Sequence, residues 1–343
     1  MRRCLQLAEM GAGQVAPNPM VGAVLVYAGR MIGEGYHQRY GEAHAEVNCI
    51  NSVSENDKQF IAASTLYVSL EPCAHFGKTP PCTDLIIKNK IPVVIIGCRD
   101  SFAEVSGKRI EKLTQAGINI TVGVLEKECL ALNKRFFTFH NQQRPYVILK
   151  WAQSSDGKIT GNNSSRMLIS NETSNRLVHK WRGEEAAILV GTNTALNDDP
   201  ALTARLWLGK DPVRGVIDKE LKLPAHLKLF DGSTETIVFN YLKKEDNGKL
   251  HYLQLNRQDD LLQQLLSALY EMQLQSLLVE GGTKLLQSFI DDGLWDEARI
   301  ICNEQLTMGN GLNAPVLKNK ALLREERVDT DVISFFGNAS KQG

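Results

Sequence analysis

Apolar positions recur along this chain at two spacings, one of about 3.6 residues and one of about 2, and the two alternate. Residues 2–11 carry the helical spacing. Val21–Tyr27 and Met31–Tyr36 read as strands joined by a turn at Ala28-Gly29-Arg30. A helix is predicted from about Ala43, a strand over Thr65–Leu70, and a helix opening at Cys82 behind Pro80-Pro81. A strand over Val93–Cys98, a helix near Val105–Ala116, a strand over Ile118–Val124 and a last helix over Leu125–His140 follow. This alternation predicts an α/β domain of three layers, helices on both faces of one sheet.

Asn141-Gln142-Gln143-Arg144 is a polar run before Pro145 and marks a boundary, giving domains 1–143 and 144–343. The second alternation opens with the strand Tyr146–Trp151. It continues with a helix capped by Ser170 and running to about Glu184, a buried strand over Ala186–Gly191, and a polar loop over Asn197–Arg205. Strands near Arg214–Asp218 and Thr236–Asn240, a helix over about Asp259–Met272 and a strand over Ser276–Glu280 extend it. Gly281-Gly282 then turns into another helix, and Arg299–Cys302 and Val332–Phe336 read as closing strands.

Composition narrows the function. A chain of 343 residues exceeds one core, and 43% hydrophobic residues suffice to fill two. Lys plus Arg and Asp plus Glu both number 39, so no basic excess exists to neutralise a nucleic-acid backbone, and a small molecule is the expected partner. No apolar run approaches the roughly 18 residues of a membrane span, and the first residues lack a secretory pattern, so the expected location is cytoplasmic. Seven cysteines at irregular spacing do not suggest a disulfide framework; Cys4, Cys49, Cys98, Cys129 and Cys302 read as reduced packing residues.

The remaining two belong to a different pattern. His44-Ala45-Glu46 is followed by Glu71-Pro72-Cys73 and by Pro80-Pro81-Cys82. One imidazole and two thiolates suit tetrahedral zinc, and three protein ligands leave the fourth position for water, as catalytic sites do. If zinc brings the pKa of that water from about 15.7 to about 7, hydroxide forms more easily by roughly 12 kcal/mol. Glu46 is then the acid/base, taking the water proton and passing it to the ring nitrogen and departing amine. Side chains two residues apart on a helix diverge by about 200°. His44 and Glu46, expected in the first turn, therefore converge only if the helix end faces the metal. A structural zinc would ordinarily add a fourth Cys or His. His75 is the candidate for that, and we assign it instead to the wall of the pocket.

His-x-Glu with a later Pro-Cys-x-x-Cys marks the zinc nucleobase deaminases, but here eight residues, Ala-His-Phe-Gly-Lys-Thr-Pro-Pro, separate the cysteines. That longer loop, with Asn18-Pro19-Met20-Val21-Gly22, resembles the bacterial riboflavin-pathway pyrimidine deaminase/reductase family. The resemblance implies a cytidine-deaminase-like first domain. It also implies a pyrimidine contact from Asn18, pocket positions for His37 and His75, and a contact between Lys78 and the substrate phosphate.

In the second half, the strand, Gly-Gly turn and helix over 276–290 would let backbone approach a phosphate at a helix start. It lacks the G-x-G-x-x-G spacing, so a Rossmann fold is not indicated. Lys150–Gly157, Thr194–Arg205 and Val279-Glu280-Gly281-Gly282 together resemble the reductase half of the same family, which is similar in fold to dihydrofolate reductase and uses NADPH. The resemblance sets Ala152, Leu168, Thr194, Asp198, Gly282, Thr283, Lys284 and Leu285 against the dinucleotide. It sets Arg182, Leu202, Arg205 and Glu280 against the sugar-phosphate substrate, a role for which a guanidinium is well shaped. Asp198 is also the candidate for assisting proton transfer. Within Asn162–Ile169 the family shows a serine and an aromatic where this chain has Arg166 and Leu168.

The implied function is bifunctional. Zinc hydroxide would remove the 2-amino group of 2,5-diamino-6-ribosylamino-4-pyrimidinone 5′-phosphate, and NADPH would then reduce the ribosyl group to ribityl. Two alternatives stay open: another nucleobase or nucleoside deaminase with an unrelated appendage, and a zinc-stabilised binding module without activity. The expected partner is a small phosphorylated pyrimidine, with neither nucleic acid nor membrane, in a chain compatible with a homo-oligomer.

Overall fold

The computed structural model describes residues 1–74, 80–100, 108–161 and 168–341. The chain divides into two compact units, Met1–Gln143 and Arg144–Gly343.

The N-terminal unit runs α1 (Arg2–Glu9), β1 (Gly22–Tyr27), β2 (Arg30–Tyr36), α2 (Ala45–Asn51), a 3₁₀ segment (Glu55–Ala63), β3 (Thr65–Leu70), α3 (Cys82–Lys88), β4 (Val93–Cys98), α4 (Lys108–Gln115), β5 (Asn119–Val122), α5 (Glu126–Leu132) and α6 (Lys134–Gln142). The strands form one sheet in the order β2-β1-β3-β4-β5. β1 is antiparallel to both neighbours, and β3, β4 and β5 are parallel. Because successive strand residues face opposite sides, Leu25, Leu66 and Ile96 pack with Cys49, Ile86 and Leu113 of α2, α3 and α4. Val24 packs with Cys4 and Leu7 of α1, and Leu70 and Cys98 with Cys129 of α5 and Phe137 of α6. This is the three-layer arrangement expected from the alternation.

Two local expectations are corrected. α2 begins at Ala45, and His44 is its N-cap with extended backbone, φ −73° and ψ 166°, instead of lying in the first turn. The single helix over Leu125–His140 is two, broken at Asn133 with φ −103° and ψ 23°. Asn133 is 3% exposed; its amide accepts from the Met20 N–H at 2.8 Å and donates to the Met20 carbonyl at 2.9 Å. A side chain that satisfies a distant buried backbone outweighs one more helical turn.

The C-terminal unit runs β6 (Tyr146–Ser154), β7 (Lys158–Gly161), α7 (Glu172–Glu184), β8 (Ala187–Gly191), α8 (Thr192–Asp198), β9 (Val213–Ile217), β10 (Thr236–Asn240), β11 (Glu245–Asn247), β12 (Leu250–Gln254), α9 (Leu261–Glu271), β13 (Ser276–Val279), α10 (Thr283–Asp291), β14 (Glu297–Asn303), β15 (Gly311–Asn313), β16 (Lys320–Val328) and β17 (Asp331–Asn338). Ten strands form one sheet ordered β11-β12-β10-β9-β8-β13-β6-β14-β17-β16. Its interior strands, from β12 to β14, are parallel, and apolar clusters cover both faces as such a sheet requires. The α7 cap is Asn171, whose side chain accepts from the Ser174 N–H at 2.8 Å, not Ser170. The loop expected over Asn197–Arg205 starts inside α8.

Among the described residues no helix is long and apolar enough to cross a membrane, and all seven cysteines are free thiols. We predict that Asn133→Ala, which orphans both Met20 backbone groups, costs the N-terminal unit about 2 kcal/mol. Urea unfolding of that unit measures it, and an unchanged midpoint would remove Asn133 from the account of the helix break.

Candidate active sites

The first site is built at two helix starts and one strand end. His44 caps α2, Cys82 is the first residue of α3 behind Pro81, and Cys73 follows β3. His44 Nδ1 lies 3.4 Å from Cys73 Sγ and 3.4 Å from Cys82 Sγ, and all three donor atoms lie within 4.8 Å of one another. A tetrahedral zinc with Zn–N of about 2.05 Å and Zn–S of about 2.3 Å separates N and S donors by about 3.6 Å. The observed spacing therefore fits that ion. The Cys82 N–H points at Cys73 Sγ at 3.4 Å, and the Thr83 N–H bonds the Cys73 carbonyl at 3.1 Å. Hydrogen bonds from the Cys82 thiol and the His44 ring lower the Cys73 thiol against the opposing effect of burial, which favours the thiolate form that ligates metal.

Glu46 follows two residues after the cap, in the first turn of α2 and 3% exposed. Because His44 is outside the helix, the divergence of i and i+2 side chains does not apply to the pair. Burial, and then the Cys73 thiolate, push the Glu46 carboxyl up to about 7, the range in which a general base operates at neutral pH. His37 is 2% exposed; its ring meets the His44 ring edge-on at 5.4 Å between centroids and contacts Asn18 through Nε2 at 3.1 Å. His75 and Lys78 lie outside the described residues.

The second site collects at the carboxyl ends of the parallel strands β6, β8 and β13, where open α/β sheets bind ligands. Glu280 follows β13, and Arg182 from α7 pairs with both its oxygens, Nε at 2.9 Å and Nη2 at 2.7 Å. Lys150 of β6 stands 3.8 Å from the same carboxylate. Burial opposes the charge on Glu280, but Arg182 and Lys150 outweigh it and hold the carboxyl at about 2. Burial lowers Lys150 despite Glu280. His179, one turn before Arg182, is 1% exposed and is held at about 4 by burial and by the Arg182 and Arg205 charges.

Arg182 also donates to the Thr203 carbonyl at 3.3 Å, and Arg205 Nη1 to Thr203 Oγ1 at 3.3 Å. These bonds tie the loop after α8 to the Glu280 cluster. Leu202 has φ +52° and a side chain only 2% exposed, so a ligand would meet its main chain. Gly282 caps α10 with no side-chain bond across its first N–H groups, and Thr283, Lys284 and Leu285 form the first turn. A Cβ on Gly282 would sit 3.3 Å from Thr194 Oγ1, which makes a close cradle of α8 and α10. Ala152 is half-buried on β6, Asp198 ends α8, and Leu168 is exposed. The structure thus brings Arg182, Glu280, Leu202 and Arg205 together, and Thr194 beside Gly282. Lys150 and His179 were not selected from the sequence, although Lys150 is the sole charge in the apolar run Tyr146–Trp151.

A family model for the cytidine and deoxycytidylate deaminase zinc-binding region matches residues 1–98, and one for the RibD C-terminal domain matches residues 145–321. The riboflavin biosynthesis protein RibD of Aquifex aeolicus is 39% identical over 98% of this chain and 97% of its own length. That of Escherichia coli is 34% identical over 87% and 84%. The crystal structure of a diaminohydroxyphosphoribosylaminopyrimidine deaminase/5-amino-6-(5-phosphoribosylamino)uracil reductase from Thermotoga maritima is similar with a TM-score of 0.90 at 35% identity, over 98% of this chain and 97% of that one. A zinc-binding deaminase region followed by a reductase domain, matched over nearly the full length, places this chain in the RibD family of bifunctional riboflavin-biosynthesis deaminase/reductases.

Proposed function

We propose that His44 Nδ1, Cys73 Sγ and Cys82 Sγ hold a zinc ion and that Glu46 is the proton carrier of the deaminase. The observation that supports this is one imidazole and two sulfurs at ligand spacing beside a carboxyl buried to 3% exposure. Zinc, when bound, lowers the pKa of water toward about 7 and so supplies a nucleophile at neutral pH. Glu46 takes a proton from the water that adds to the amidine carbon of the pyrimidine and passes it to the ring nitrogen. It then carries the proton of the resulting hydroxyl to the 2-amino group, which leaves as ammonia as the carbon becomes a carbonyl. Asn18 contacts the ring, and Lys78 and His75 complete the pocket by family resemblance. The substrate is the 2,5-diamino-6-ribosylamino-4-pyrimidinone 5′-phosphate of the pathway.

The reductase unit takes the deaminated product. NADPH supplies hydride to C1′ of the opened ribosyl group. At the start of α10, among the described residues, the Thr283 and Lys284 N–H groups have no partner and the Leu285 N–H turns to the Gly282 carbonyl at 3.1 Å. That start and Thr194 beside Gly282 fit a dinucleotide phosphate, since unpaired N–H groups at a helix start attract anions. Ala152 and Leu168 would face the cofactor, and Asp198 would orient or protonate. Arg182, Arg205, Glu280 and the Leu202 main chain bind the sugar phosphate. Two cations against one carboxylate leave an excess positive charge suited to the substrate's phosphate. Seven unpaired thiols suit a reducing cytoplasm.

Three outcomes are expected. Glu46→Gln should lower deaminase kcat by about 10²-fold or more while metal analysis still finds one zinc per chain; undiminished turnover would remove Glu46 from the chemistry. Stripping the metal with a chelator should abolish deamination and leave NADPH oxidation intact when the deaminated intermediate is supplied directly, and equal loss of both would contradict separate centres. Glu280→Gln should destabilise the C-terminal unit by about 3 kcal/mol at pH 7, because Arg182 loses its buried counter-ion. The folded Glu280 pKa near 2 lies below the unfolded value of about 4.3, so that gap should be complete above pH 5 and shrink as pH falls from 4 toward 2. A pH-independent gap in unfolding midpoints would contradict the ion-pair origin.

A further inference from the structure

His37 follows β2 and is enclosed, yet both its ring nitrogens are engaged. Nδ1 lies 3.1 Å from the Ala43 carbonyl oxygen, and Nε2 lies 3.1 Å from Asn18 Nδ2. A carbonyl oxygen only accepts, so Nδ1 carries a hydrogen; a neutral imidazole has a single N–H, which leaves Nε2 as a lone pair. The amide of Asn18 can satisfy that lone pair only through its NH₂ end. The opposite end, Oδ1, accepts no hydrogen bond among the described residues, and Asn18 is half-buried. An amide NH₂ has no acceptor, so the contact from Asn18 Nδ2 itself requires Nε2 to be the acceptor; a ring carrying Nε2–H would face Oδ1 and reverse the amide.

An unrestrained asparagine reads either polarity of a ring edge, because its amide turns over at little cost. We infer that His37 is a positioning residue that holds Asn18 in one orientation, Oδ1 outward, so that the deaminase selects a pyrimidine presenting a lactam edge, ring N–H beside C=O, over one presenting the reversed 4-amino edge. The outward oxygen accepts from the ring N–H, and the second hydrogen on Nδ2 faces the adjacent carbonyl. On a 4-amino pyrimidine, the ring nitrogen lone pair would meet Oδ1 and the amino group would meet Nδ2, two repulsive pairings at once. This inference rests on the proposal that Asn18 faces the pyrimidine ring.

The test uses the full-length, zinc-loaded protein and two readouts that do not depend on turnover. Long-range ¹H–¹⁵N spectra of the histidine rings should show His37 as the Nδ1–H tautomer with a bare Nε2; an Nε2–H or doubly protonated ring overturns the inference and needs no variant. Competitive binding of a 4-oxo and a 4-amino pyrimidine analogue should favour the 4-oxo compound by about tenfold or more, the factor expected when a buried donor or acceptor goes unpaired. His37→Leu, which lacks an acceptor, should bring that ratio close to one, and His37→Gln, whose Oε1 can accept from Asn18, should restore it. A purely structural His37 would weaken both analogues equally, and an unchanged ratio in His37→Leu overturns the inference while leaving the site reading intact. If Asn18→Ala binds both analogues as the wild type does, Asn18 is not at the ring, and the inference falls together with that part of the site reading.

Discussion

Three soft donors from separate stretches must reach one small volume without leaving backbone polar groups unpaired, and the deaminase unit is arranged around that constraint. Helix starts meet it. The residue before a helix is free to be extended, so His44 turns its ring toward the sulfurs while Ala45–Asn51 carries Glu46 away into the core. The first N–H groups of α3 have no helical partners; those of Cys82 and Thr83 turn to the Cys73 sulfur and carbonyl. The partial positive charge at such a start favours thiolates. Local backbone chemistry and metal-ligand chemistry therefore reinforce each other at the same few atoms.

The second unit meets a different requirement. It assembles hard charges, Arg182, Lys150 and Glu280, toward the carboxyl edge of a parallel sheet packed on both faces by apolar clusters. An isolated ion at that depth would be costly, and the bidentate Arg182–Glu280 pair supplies the compensation. Loop and helix ends then hang on the pair: Thr203 through Arg182, and α10 through the strand that carries Glu280. In both units most of the candidate groups stand at strand or helix ends, where backbone is irregular enough to aim side chains yet anchored by a packed sheet; Lys150 within β6 and His179 within α7 are the exceptions.

Where the sequence was read locally, success followed the strength of the local signal. β1, β3, β4 and β10 stand within a residue of their expected spans because each is a dense apolar run bounded by turns. β16 was missed because the run Arg324, Glu325, Glu326 and Arg327 puts charge on both of its faces, the charge an edge strand uses against unwanted pairing, which hides the alternation. α8 was missed because Thr192–Asp198 lacks a hydrophobic stripe and begins directly at the strand end.

By itself the sequence determined the alternation of elements, the three-layer first unit, the zinc-type donor set and the family resemblance, since these depend on residue identity and short spacing. Only the tertiary structure decided that His44 caps a helix instead of starting it, that Asn133 breaks a helix to hold Met20, and that Lys150 and His179 join the Arg182–Glu280 cluster. Each of those outcomes is an interaction across long sequence separations, where a single buried hydrogen bond or ion pair outweighs the few tenths of a kcal/mol by which local propensity favours one more helical residue.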